Sequence, residues 1–283
     1  MTTPAYPFVK GHGTENDFVL LPDHDGSVHG DLPAARVAAL CDRRAGIGGD
    51  GVIRVIRTAA LADAAAGTEW FMDYRNADGS VSEMCGNGVR VLARHLADEG
   101  LVDPAEPLPL GTRDGVKTVV FEADGTMTVD MGSPRLLGDS EVAVGERAWK
   151  ATHVDMGNPH AVAFVGSLDD AGSLLEPPEH DRATYPHGVN VEFVVRRGAR
   201  HVAFRVHERG SGETRSCGTG ACAVMVAAAV ADGEAGGDAG PPGQDLAYTV
   251  DVPGGRLTVT WTAGDRTLLT GPAVLVARGT STL

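Results

Sequence analysis

Short segments in which apolar and polar residues alternate recur along the chain, and this alternation is typical of β-strands with one buried face. Two longer segments have a helical pattern instead, and each follows a polar loop and ends near a glycine, Gly100 or Gly233. Many short strands with a few helices predict the α+β fold class. The segments predicted as strands are Phe8–Lys10, Phe18–Leu21, Gly51–Arg57, Thr118–Phe121, Thr126–Met131, Val162–Val165, Val191–Val195, His201–His207, Tyr248–Val252 and Leu257–Trp261.

The two helical segments belong to a diverged internal repeat. Each begins with Cys-Gly-x-Gly, at Cys85 and at Cys217, and the two cysteines lie 132 residues apart in the sequence. A second similarity relates Val-Asp-Met-Gly-Ser-Pro at 129–134 to Val-Asp-Met-Gly-Asn-Pro at 154–159, and each copy predicts a strand that runs into a turn. We therefore expect two pseudo-symmetric halves, each a mostly antiparallel sheet wrapped around a central helix.

The chain length also indicates two domains, because 283 residues exceed the usual size of a domain with one core. We place the boundary just before the first Val-Asp-Met-Gly segment, with an N-terminal domain over residues 1–126 and a C-terminal domain over residues 127–271. The segment from Asp232 to Asp245, rich in Gly, Pro and acidic residues, predicts a flexible surface loop, because a strand pattern resumes directly after it.

Composition and charge narrow the class of partner. Hydrophobic residues make up 42% of the chain, aromatic residues 5%, and the formal net charge is −14. This acidic balance argues against a basic face for nucleic acid or for an anionic membrane. The first ten residues lack the pattern of a signal peptide, and the longest apolar run, 221–231, is shorter than the ~18 residues of a membrane-spanning helix. We expect a soluble, cytoplasmic protein.

The chain has four cysteines, and no two of them are spaced as C-x-x-C, so a zinc ribbon or a thioredoxin-type site is unsupported. In a reducing cytoplasm they are expected to be thiols. Cys41 lies on the apolar side of a predicted helix and Cys222 in the Ala/Val-rich helix after Cys217, so both are predicted to be core residues.

Cys85 and Cys217 differ from these two because each directly precedes a helix start and is followed by glycines. The first N–H groups of a helix have no intrahelical partner and carry about half a positive charge, which lowers the pKa of a thiol placed there. Glycines let a ligand approach the backbone, so that these N–H groups can hold a carboxylate. Two such helix ends facing one cavity would place a sulfur on each side of the α-carbon of a bound carboxylate.

That arrangement suits the inversion of an α-carbon, in which a base removes a proton from one face and an acid returns one to the other. Fixed dipoles around the carboxylate would stabilise the carbanion. The Gly-Ile-Gly-Gly-Asp-Gly segment at 46–51 matches neither a P-loop nor a dinucleotide fingerprint, and nothing indicates pyridoxal phosphate, so we expect no cofactor and no metal. One such cysteine motif is more often a structural turn, and from the motifs alone the catalytic and structural interpretations both stay open.

The sequence resembles the diaminopimelate epimerases over essentially the whole chain. Seven segments in order carry the resemblance: 13–18 (Gly-Thr-Glu-Asn-Asp-Phe), 46–51, 76–80 (Asn-Ala-Asp-Gly-Ser), 84–90 (Met-Cys-Gly-Asn-Gly-Val-Arg), 156–160 (Met-Gly-Asn-Pro-His), 188–192 (Gly-Val-Asn-Val-Glu) and 208–221, which contains Cys217. The resemblance implies a cofactor-independent two-base reaction between L,L- and meso-diaminopimelate, in lysine and peptidoglycan synthesis. It also implies that residues 272–283 return to the first domain as a strand, with the active site in the cleft between the domains.

The same resemblance assigns the site residues. Cys85 and Cys217 would be the acid/base pair, and His160 and Glu208 would tune their protonation. A ligand with two ammonium and two carboxylate groups suits these residue types, because Arg209 can fork a carboxylate and Glu208 can accept from an ammonium. The substrate-binding residues implied are Asn16, Asn76, Gly86, Asn87, Asn158, Asn190, Glu208, Arg209, Gly218 and Thr219.

Two positions depart from the family pattern, and two other functions stay open. Gly51 stands where many relatives carry a glutamine, and Thr14-Glu15 adds a residue before Asn16. The alternatives are a proline or hydroxyproline racemase, whose first motif tends to carry a histidine where Asn87 stands, and a non-catalytic binding or thiol redox protein. Turnover would separate an enzyme from a redox protein. Relatives are often homodimers, and domain closure on the substrate is expected to exclude water.

Overall fold

The computed structural model describes residues 4–61, 67–235 and 240–283 and shows an α+β protein dominated by strands. Within the described residues, no helix combines the length and the apolar character needed to cross a membrane. The elements are β1 (Tyr6–Gly13), β2 (Asn16–Pro22), α1 (Ala34–Cys41), β3 (Gly51–Arg57), β4 (Trp70–Asn76), α2 (Gly86–Asp98), β5 (Leu108–Thr112), β6 (Gly115–Phe121), β7 (Met127–Gly132), β8 (Arg135–Val144), β9 (Arg147–Asp155), β10 (Pro159–Phe164), β11 (Glu179–His180), β12 (Asn190–Gly198), β13 (His201–Glu208), β14 (Gly212–Thr214), α3 (Gly218–Ala231), β15 (Leu246–Val252), β16 (Gly255–Trp261), β17 (Thr267–Gly271) and β18 (Val274–Ser281), with short 3-10 helices at Thr58–Ala60 and Leu168–Ala171.

The chain divides into two compact units. Unit 1 comprises Met1–Val129 and Pro272–Leu283, and unit 2 comprises Asp130–Gly271, so that the chain passes from one unit to the other within β7. Each unit is a mostly antiparallel sheet with one long helix packed against it. The predicted α+β class, with two similar halves built on a central helix, is confirmed.

In unit 1 the strands lie in the order β18-β1-β2-β3-β4-β5-β6-β7. The pairs β2–β3 and β4–β5 are parallel and the others are antiparallel. The central helix is α2, which contacts β1, β2, β3, β4, β6 and β18. It buries Val89, Leu92 and Leu96, spaced three and four residues apart as one face of a helix requires.

Unit 2 repeats this arrangement strand for strand, in the order β8-β9-β10-β12-β13-β15-β16-β17. Its parallel pairs, β10–β12 and β13–β15, stand at the same places as those of unit 1. The central helix is α3, and its residues from Gly218 to Ala229 are all buried. A helix that is apolar on every side must be buried, which explains why its sequence shows no polar face.

The sheet registers define which residues of the two units are equivalent. Phe18 pairs with Gly51 in unit 1, and His160 pairs with Asn190 in unit 2. On the next strand pair Gly51 lies opposite Asn76, and the pairing of Val191 with His207 places Asn190 opposite Glu208. The equivalent pairs that concern the site are Asn16 and Asn158, Phe18 and His160, Ile53 and Glu192, Asn76 and Glu208, and Cys85 and Cys217.

Both central helices end in the same glycine cap, as the sequence predicts. Gly100 adopts φ +66° after α2, its N–H donates to Ala97 O at 3.0 Å, and the N–H of Leu101 donates to Leu96 O at 2.9 Å. These two bonds form a Schellman motif, which requires a left-handed residue that glycine adopts without strain. Gly233, at φ +71°, and the residue after it make the same two bonds at the end of α3.

Each of the predicted strands overlaps an observed one, and both Val-Asp-Met-Gly segments end a strand, β7 or β9. The alternation pattern did not predict β4, β5, β8, β9, β11, β14 or β17. The predicted loop at 232–245 joins α3 to β15, and residues 236–239 of it lie outside the described residues.

Candidate active site

The N-terminus of α2 carries Cys85 as the residue immediately before the first helical turn. Its half-buried thiol donates to Asn16 Oδ1 at 3.6 Å, and the same oxygen accepts from Asn87 Nδ2 at 3.1 Å. Asn16 and Asn87 are both buried. The structure therefore brings three predicted site residues together at one helix end, two from the cysteine motif and one from the start of β2.

Asn16 reaches this place because it directly follows a tight hairpin. Thr14 and Glu15 form the two-residue turn between β1 and β2, with φ +48° and +60°. Two left-handed residues are typical of a type I′ turn, which matches the twist of paired strands. Asn16 is consequently paired with Gly13 as the first residue of β2.

The amide of Asn16 is oriented by Asp50, which the sequence analysis did not assign to the site. Asn16 Nδ2 donates to Asp50 Oδ2 at 2.8 Å, and Arg43 donates to the other oxygen of that carboxylate at 2.7 Å. Burial and the charge of Asp17 raise the pKa of Asp50. Because a carboxylate accepts from Nδ2, Oδ1 is the amide atom that faces the thiol of Cys85.

Asn87 is held from its other end by Arg90, a fully buried arginine one turn further along α2. Arg90 Nη2 donates to Asn87 Oδ1 at 2.7 Å, while Nη1 donates to Gly86 O at 3.4 Å and Nε to Pro272 O at 3.3 Å. The planar guanidinium thus fixes both the side chain of Asn87 and the backbone at the predicted carboxylate-binding residue Gly86.

Asn76 and Gly51 face each other across β3 and β4. The amide of Asn76 is engaged in its own turn, where Nδ2 donates to Ser80 Oγ at 2.9 Å. A Cβ atom at Gly51 would lie 2.5 Å from both Arg75 O and Tyr74 Cε2. The position therefore has no space for a side chain, including the glutamine that the family resemblance leads one to expect.

The N-terminus of α3 carries Cys217 in the same place. Its buried sulfur accepts from Gly220 N at 3.3 Å and contacts Thr219 Oγ1 at 3.5 Å. Thr219 Oγ1 accepts in turn from Asn158 Nδ2 at 3.4 Å. Together with Gly218, the first residue of the helix, the predicted site residues of this motif again form one connected group.

Behind this group lies a fully buried pair, His160 and Glu192. His160 Nδ1 is 2.7 Å from Glu192 Oε1, and Nε2 is 3.0 Å from Asn158 Oδ1. The second glycine of the motif is needed here, because a Cβ atom at Gly220 would lie 2.8 Å from Glu192 Oε1. Sequence reasoning missed Glu192 as a site residue, and the signal was a charged residue at a core position of a strand pattern.

The remaining predicted residues lie at the ends of β12 and β13. Asn190 is buried and both ends of its amide bind backbone, since Nδ2 donates to Pro159 O at 3.1 Å and Oδ1 accepts from Arg209 N at 3.0 Å. Glu208 accepts a hydrogen bond from the hydroxyl of Thr214. The side chain of Arg209 is exposed, so its guanidinium is accessible to a ligand carboxylate.

The charge environment of Cys217 runs against the expected lowering of its pKa. Burial raises this pKa well above its ordinary value, and the charge of Glu208 raises it further. Hydrogen bonds from Thr219 and Gly220 act in the opposite direction but are outweighed. Without a ligand, Cys217 therefore holds its proton at neutral pH.

The other two cysteines are buried, as predicted, and all four are thiols. Cys41 ends α1 in a buried apolar cluster, where burial raises its pKa to about 11. Cys222 is fully buried in α3. A cavity of about 560 Å³ in unit 2 is lined by residues 166–169, 195–197, 203–205 and 251–253, and none of these is a predicted site residue. In the described ranges no cluster of three or more His, Cys, Asp or Glu side chains could hold a metal ion.

Comparison with known proteins gives one consistent result. A family model described as diaminopimelate epimerase matches residues 8–137 and 152–276. The diaminopimelate epimerase of Streptomyces coelicolor is 61% identical over 277 residues, covering 96% of this chain and 94% of that protein. That of Thermobifida fusca is 50% identical over 279 residues, covering 96% of each chain.

Solved structures with the same fold have much lower sequence identity. A phenazine biosynthesis protein of the PhzF family from Bacillus anthracis superposes with a TM-score of 0.71 at 14% identity, covering 98% of this chain and 99% of that one. A hydroxyproline epimerase from Agrobacterium vitis gives 0.68 at 16% identity, covering 99% and 93%. At such identities the likeness concerns the fold alone.

Proposed function

The chain belongs to the diaminopimelate epimerase family, and from this premise we propose that it interconverts L,L- and meso-diaminopimelate without a cofactor. The protein is an isomerase that acts on a small molecule. The observation that carries the mechanism is the repeated helix terminus. Cys85 and Cys217 occupy equivalent N-terminal positions on the two central helices, and each is followed by Gly-x-Gly.

In the proposed reaction both thiols act on one α-carbon from opposite faces. One sulfur, as thiolate, removes the α-proton, and the other, as thiol, donates a proton to the opposite face, so that the carbon is inverted and the two sulfurs exchange protonation states. The backbone around Gly86, Asn87, Gly218 and Thr219 holds the reacting carboxylate. The N–H groups and dipoles of both helix ends stabilise the charge that develops on it.

The two sulfurs start from different environments. Burial and the charge of Glu208 raise the pKa of Cys217, so we assign it as the acid in the direction in which Cys85 removes the proton. Cys85 is only half-buried and donates to a neutral amide oxygen. Glu208 tunes Cys217 through its charge, and His160 does so through its hydrogen bond to Asn158.

The distal part of the substrate requires groups that bind an ammonium and a carboxylate. Arg209, whose side chain is exposed, forks the distal carboxylate, and Glu208 accepts from an ammonium. Asn16, Asn76, Asn158 and Asn190 supply amide groups that accept or donate. Binding at Asn16 or Asn190 exchanges one of the internal hydrogen bonds of those amides for a bond to the ligand.

We further propose that the reaction serves lysine and peptidoglycan synthesis in the cytoplasm. The four thiols suit a reducing compartment. The proposed assembly is a homodimer, which sedimentation of the purified protein would test.

The test is an NMR assay of the reduced protein with L,L-diaminopimelate in D2O, without added cofactor. The wild type is expected to form the meso isomer with deuterium at the inverted α-carbon. Cys85→Ala and Cys217→Ala should each lower turnover by about 10²–10⁴-fold, the usual contribution of a general acid or base. Cys222→Ala, which removes a thiol from the core of α3, is the matched control and should retain activity.

Each other outcome has a distinct meaning. Absence of turnover by folded, reduced wild type would remove the diaminopimelate assignment and direct the same assay to proline and hydroxyproline. Turnover that survives either cysteine substitution would remove the two-thiol mechanism. A redox protein would show reversible thiol oxidation but no deuterium incorporation.

A further inference from the structure

Unit 2 contains a buried ionisable pair, and the proposed reaction gives a role to only one of its two residues. Glu192 and His160 are both fully buried and lie 2.7 Å apart. His160 is linked through Asn158 and Thr219 to the sulfur of Cys217, but Glu192 has been given no role. A buried carboxyl is costly to keep, so its presence behind a reacting thiol calls for a reason.

Unit 1 shows that the fold does not require this pair. The residues equivalent to His160 and Glu192 are Phe18 and Ile53, both fully buried. Ile53 also touches the helix as Glu192 does, since a Cβ atom at the second motif glycine of unit 1 would meet Ile53 Cδ1 at 3.2 Å. The same scaffold therefore accommodates an apolar pair, and only the thiol of unit 2 has an ionisable one behind it.

The hydrogen bonds between Glu192 and Cys217 have a common direction. Asn158 Nδ2 donates to Thr219 Oγ1 at 3.4 Å, so its Oδ1 accepts from His160 Nε2–H at 3.0 Å. The Thr219 hydroxyl accepts with its oxygen and has its own hydrogen for Cys217 Sγ, 3.5 Å away. With the proton of His160 on Nε2, the atom that faces Glu192 is Nδ1, which accepts if the imidazole is neutral.

The surroundings of Glu192 favour its protonated form. Glu192 Oε2 is buried and has no hydrogen-bond partner among the described residues, so an ionised carboxylate would leave an oxygen without a donor. Burial also raises the pKa of Glu192. The other titratable groups nearby are Tyr185 and His153 beside the pair and Glu208 beside the thiol. None of them adds a positive charge that would favour the ionised form of Glu192.

We propose that Glu192 is a positioning residue which, as a neutral carboxylic acid, donates to His160 Nδ1 and so orients a chain of four hydrogen bonds that ends on Cys217 Sγ. The chain runs from Glu192 through His160, Asn158 and Thr219, with every donor directed towards the sulfur. No proton needs to travel along it. When Cys217 becomes a thiolate, the Thr219 hydroxyl joins Gly220 N–H in donating to it, and this lowers the free energy of the charged form.

Unit 1 has no equivalent chain, so the proposal also explains why two similar thiols are not interchangeable. If Glu192 were ionised beside a neutral His160, the imidazole proton would lie on Nδ1, Nε2 would need a donor, and the amide of Asn158 would have to reverse. The group facing Thr219 would then be an amide oxygen, which would take up the hydroxyl hydrogen now directed at Cys217. Loss of the Glu192 proton beside a neutral His160 would therefore leave the sulfur with one donor instead of two.

The test follows the thiol of Cys217 without any substrate. Protein labelled with [3-¹³C]cysteine, in a Cys85→Ser background, is titrated by NMR, and the Cβ shift of Cys217 reports its ionisation. Glu192→Gln keeps a donor towards His160 and should leave the midpoint within about 0.3 pH unit. Glu192→Ile removes the donor and should raise the midpoint by about one unit, the effect of losing one hydrogen bond to a charged group. Glu141→Gln, at an exposed position on β8, is the matched control.

Two results would overturn the proposal. If Glu192→Gln titrates like Glu192→Ile, the charge of the carboxylate is what matters and not its hydrogen. If Glu192→Ile titrates like the wild type, the pair only fills space. Should Glu192→Ile fail to fold, the double variant His160→Phe/Glu192→Ile reproduces the residues found in unit 1, and the same upward shift is expected.

Turnover provides a second readout that rests on the proposed function. In protein that retains Cys85, the expected shift of one pH unit in Glu192→Ile should lower kcat by about tenfold. Glu192→Gln should keep kcat within about threefold of the wild-type value. If the NMR titration follows the expected order while the wild type does not turn over diaminopimelate, the proposed substrate is wrong and the hydrogen-bond chain stands.

Discussion

Replacement of Gly220 by alanine should destabilise unit 2, whereas the same change at Gly88, the equivalent motif position in unit 1, should not. A methyl group at Gly220 would lie 2.8 Å from Glu192 Oε1 and 3.2 Å from both Sγ and Cβ of Cys217. Glu192 has no room to retreat, because it is fully buried and hydrogen-bonded to His160. Overpacking of this kind costs about 1–3 kcal/mol.

The gain in helix propensity from glycine to alanine offsets up to about 1 kcal/mol of that cost. We therefore expect a net loss of about 1–2 kcal/mol in Gly220→Ala, or roughly 2–8 °C in Tm for a unit of this size. At Gly88 the nearest atom is Ile53 Cδ1 at 3.2 Å, the end of a side chain, and the next two lie at 3.6 Å. At Gly88 the gain in helix propensity should outweigh this contact, so that the Tm of Gly88→Ala is unchanged or raised.

Calorimetry of the two variants and the wild type measures both effects in one experiment, and turnover of the same samples shows whether the site is disturbed. Gly220→Ala should also lose activity, because the methyl group pushes against the reacting sulfur. Equal destabilisation by the two substitutions, or a neutral Gly220→Ala, would refute the view that Glu192 occupies the space which the second motif glycine leaves open.

Two further predictions concern unit 1. Burial raises the pKa of Asp17, but hydrogen bonds from Arg43 and Lys10 outweigh it and bring the pKa down to about 2 from 3.8. Because the folded-state pKa is the lower one, this stabilisation is present above pH 4 and is lost as the pH falls towards 2. Asp17→Asn should therefore flatten the fall in Tm between about pH 4 and 2. The control is Asp31→Asn, at an exposed position, and the same dependence of Tm on pH in the two variants would contradict this prediction. Gly51→Ala, which places Cβ 2.5 Å from a backbone oxygen, should cost about 1–3 kcal/mol by urea denaturation, and a loss below about 0.5 kcal/mol would show that the strands separate easily.

The sequence predicts the parts of the fold that rest on local signals. The two helices at Cys85 and Cys217 were predicted to end near a glycine, because a polar loop, a glycine-rich first turn and a terminal glycine all lie within about 20 residues. The half-buried strands were predicted from alternation. These features need no knowledge of which segment packs on which.

Strands without alternation were missed for two different physical reasons. In β4 the residues from Trp70 to Tyr74 are all buried, so both faces are covered and the polar-apolar period is lost. Its buried Asp73 is compensated by ion pairs with Arg54 and Arg113, which come from distant positions in the sequence, and with Arg75 two residues along the same strand. In β8 the opposite holds, since only one of its ten residues, Val142, is buried. Its pairing with β9 is made by backbone hydrogen bonds, which the side-chain pattern does not reveal.

The candidate site divides in the same way. The cysteines, their motif residues and the asparagines were singled out from the sequence, whereas Asp50 and Glu192 were missed. Asp50 meets Asn16 from 34 residues away, and Glu192 meets His160 from 32 residues away. In the sequence, an Asp or Glu that orients an amide or an imidazole looks the same as one on the surface. Only its burial and its contacts in the folded protein distinguish the two.

The position of β18 has a consequence for the order in which the protein is made. Unit 1 needs β18 to pair with the outer edge of β1, yet the ribosome produces all of unit 2 between them. At about 5–20 residues per second, translation of residues 130–271 leaves that edge open for roughly 7–30 s. During this time the nascent first unit exposes a row of unpaired backbone groups to neighbouring chains, so the half that begins synthesis first is completed last and depends on protection from strand-to-strand association.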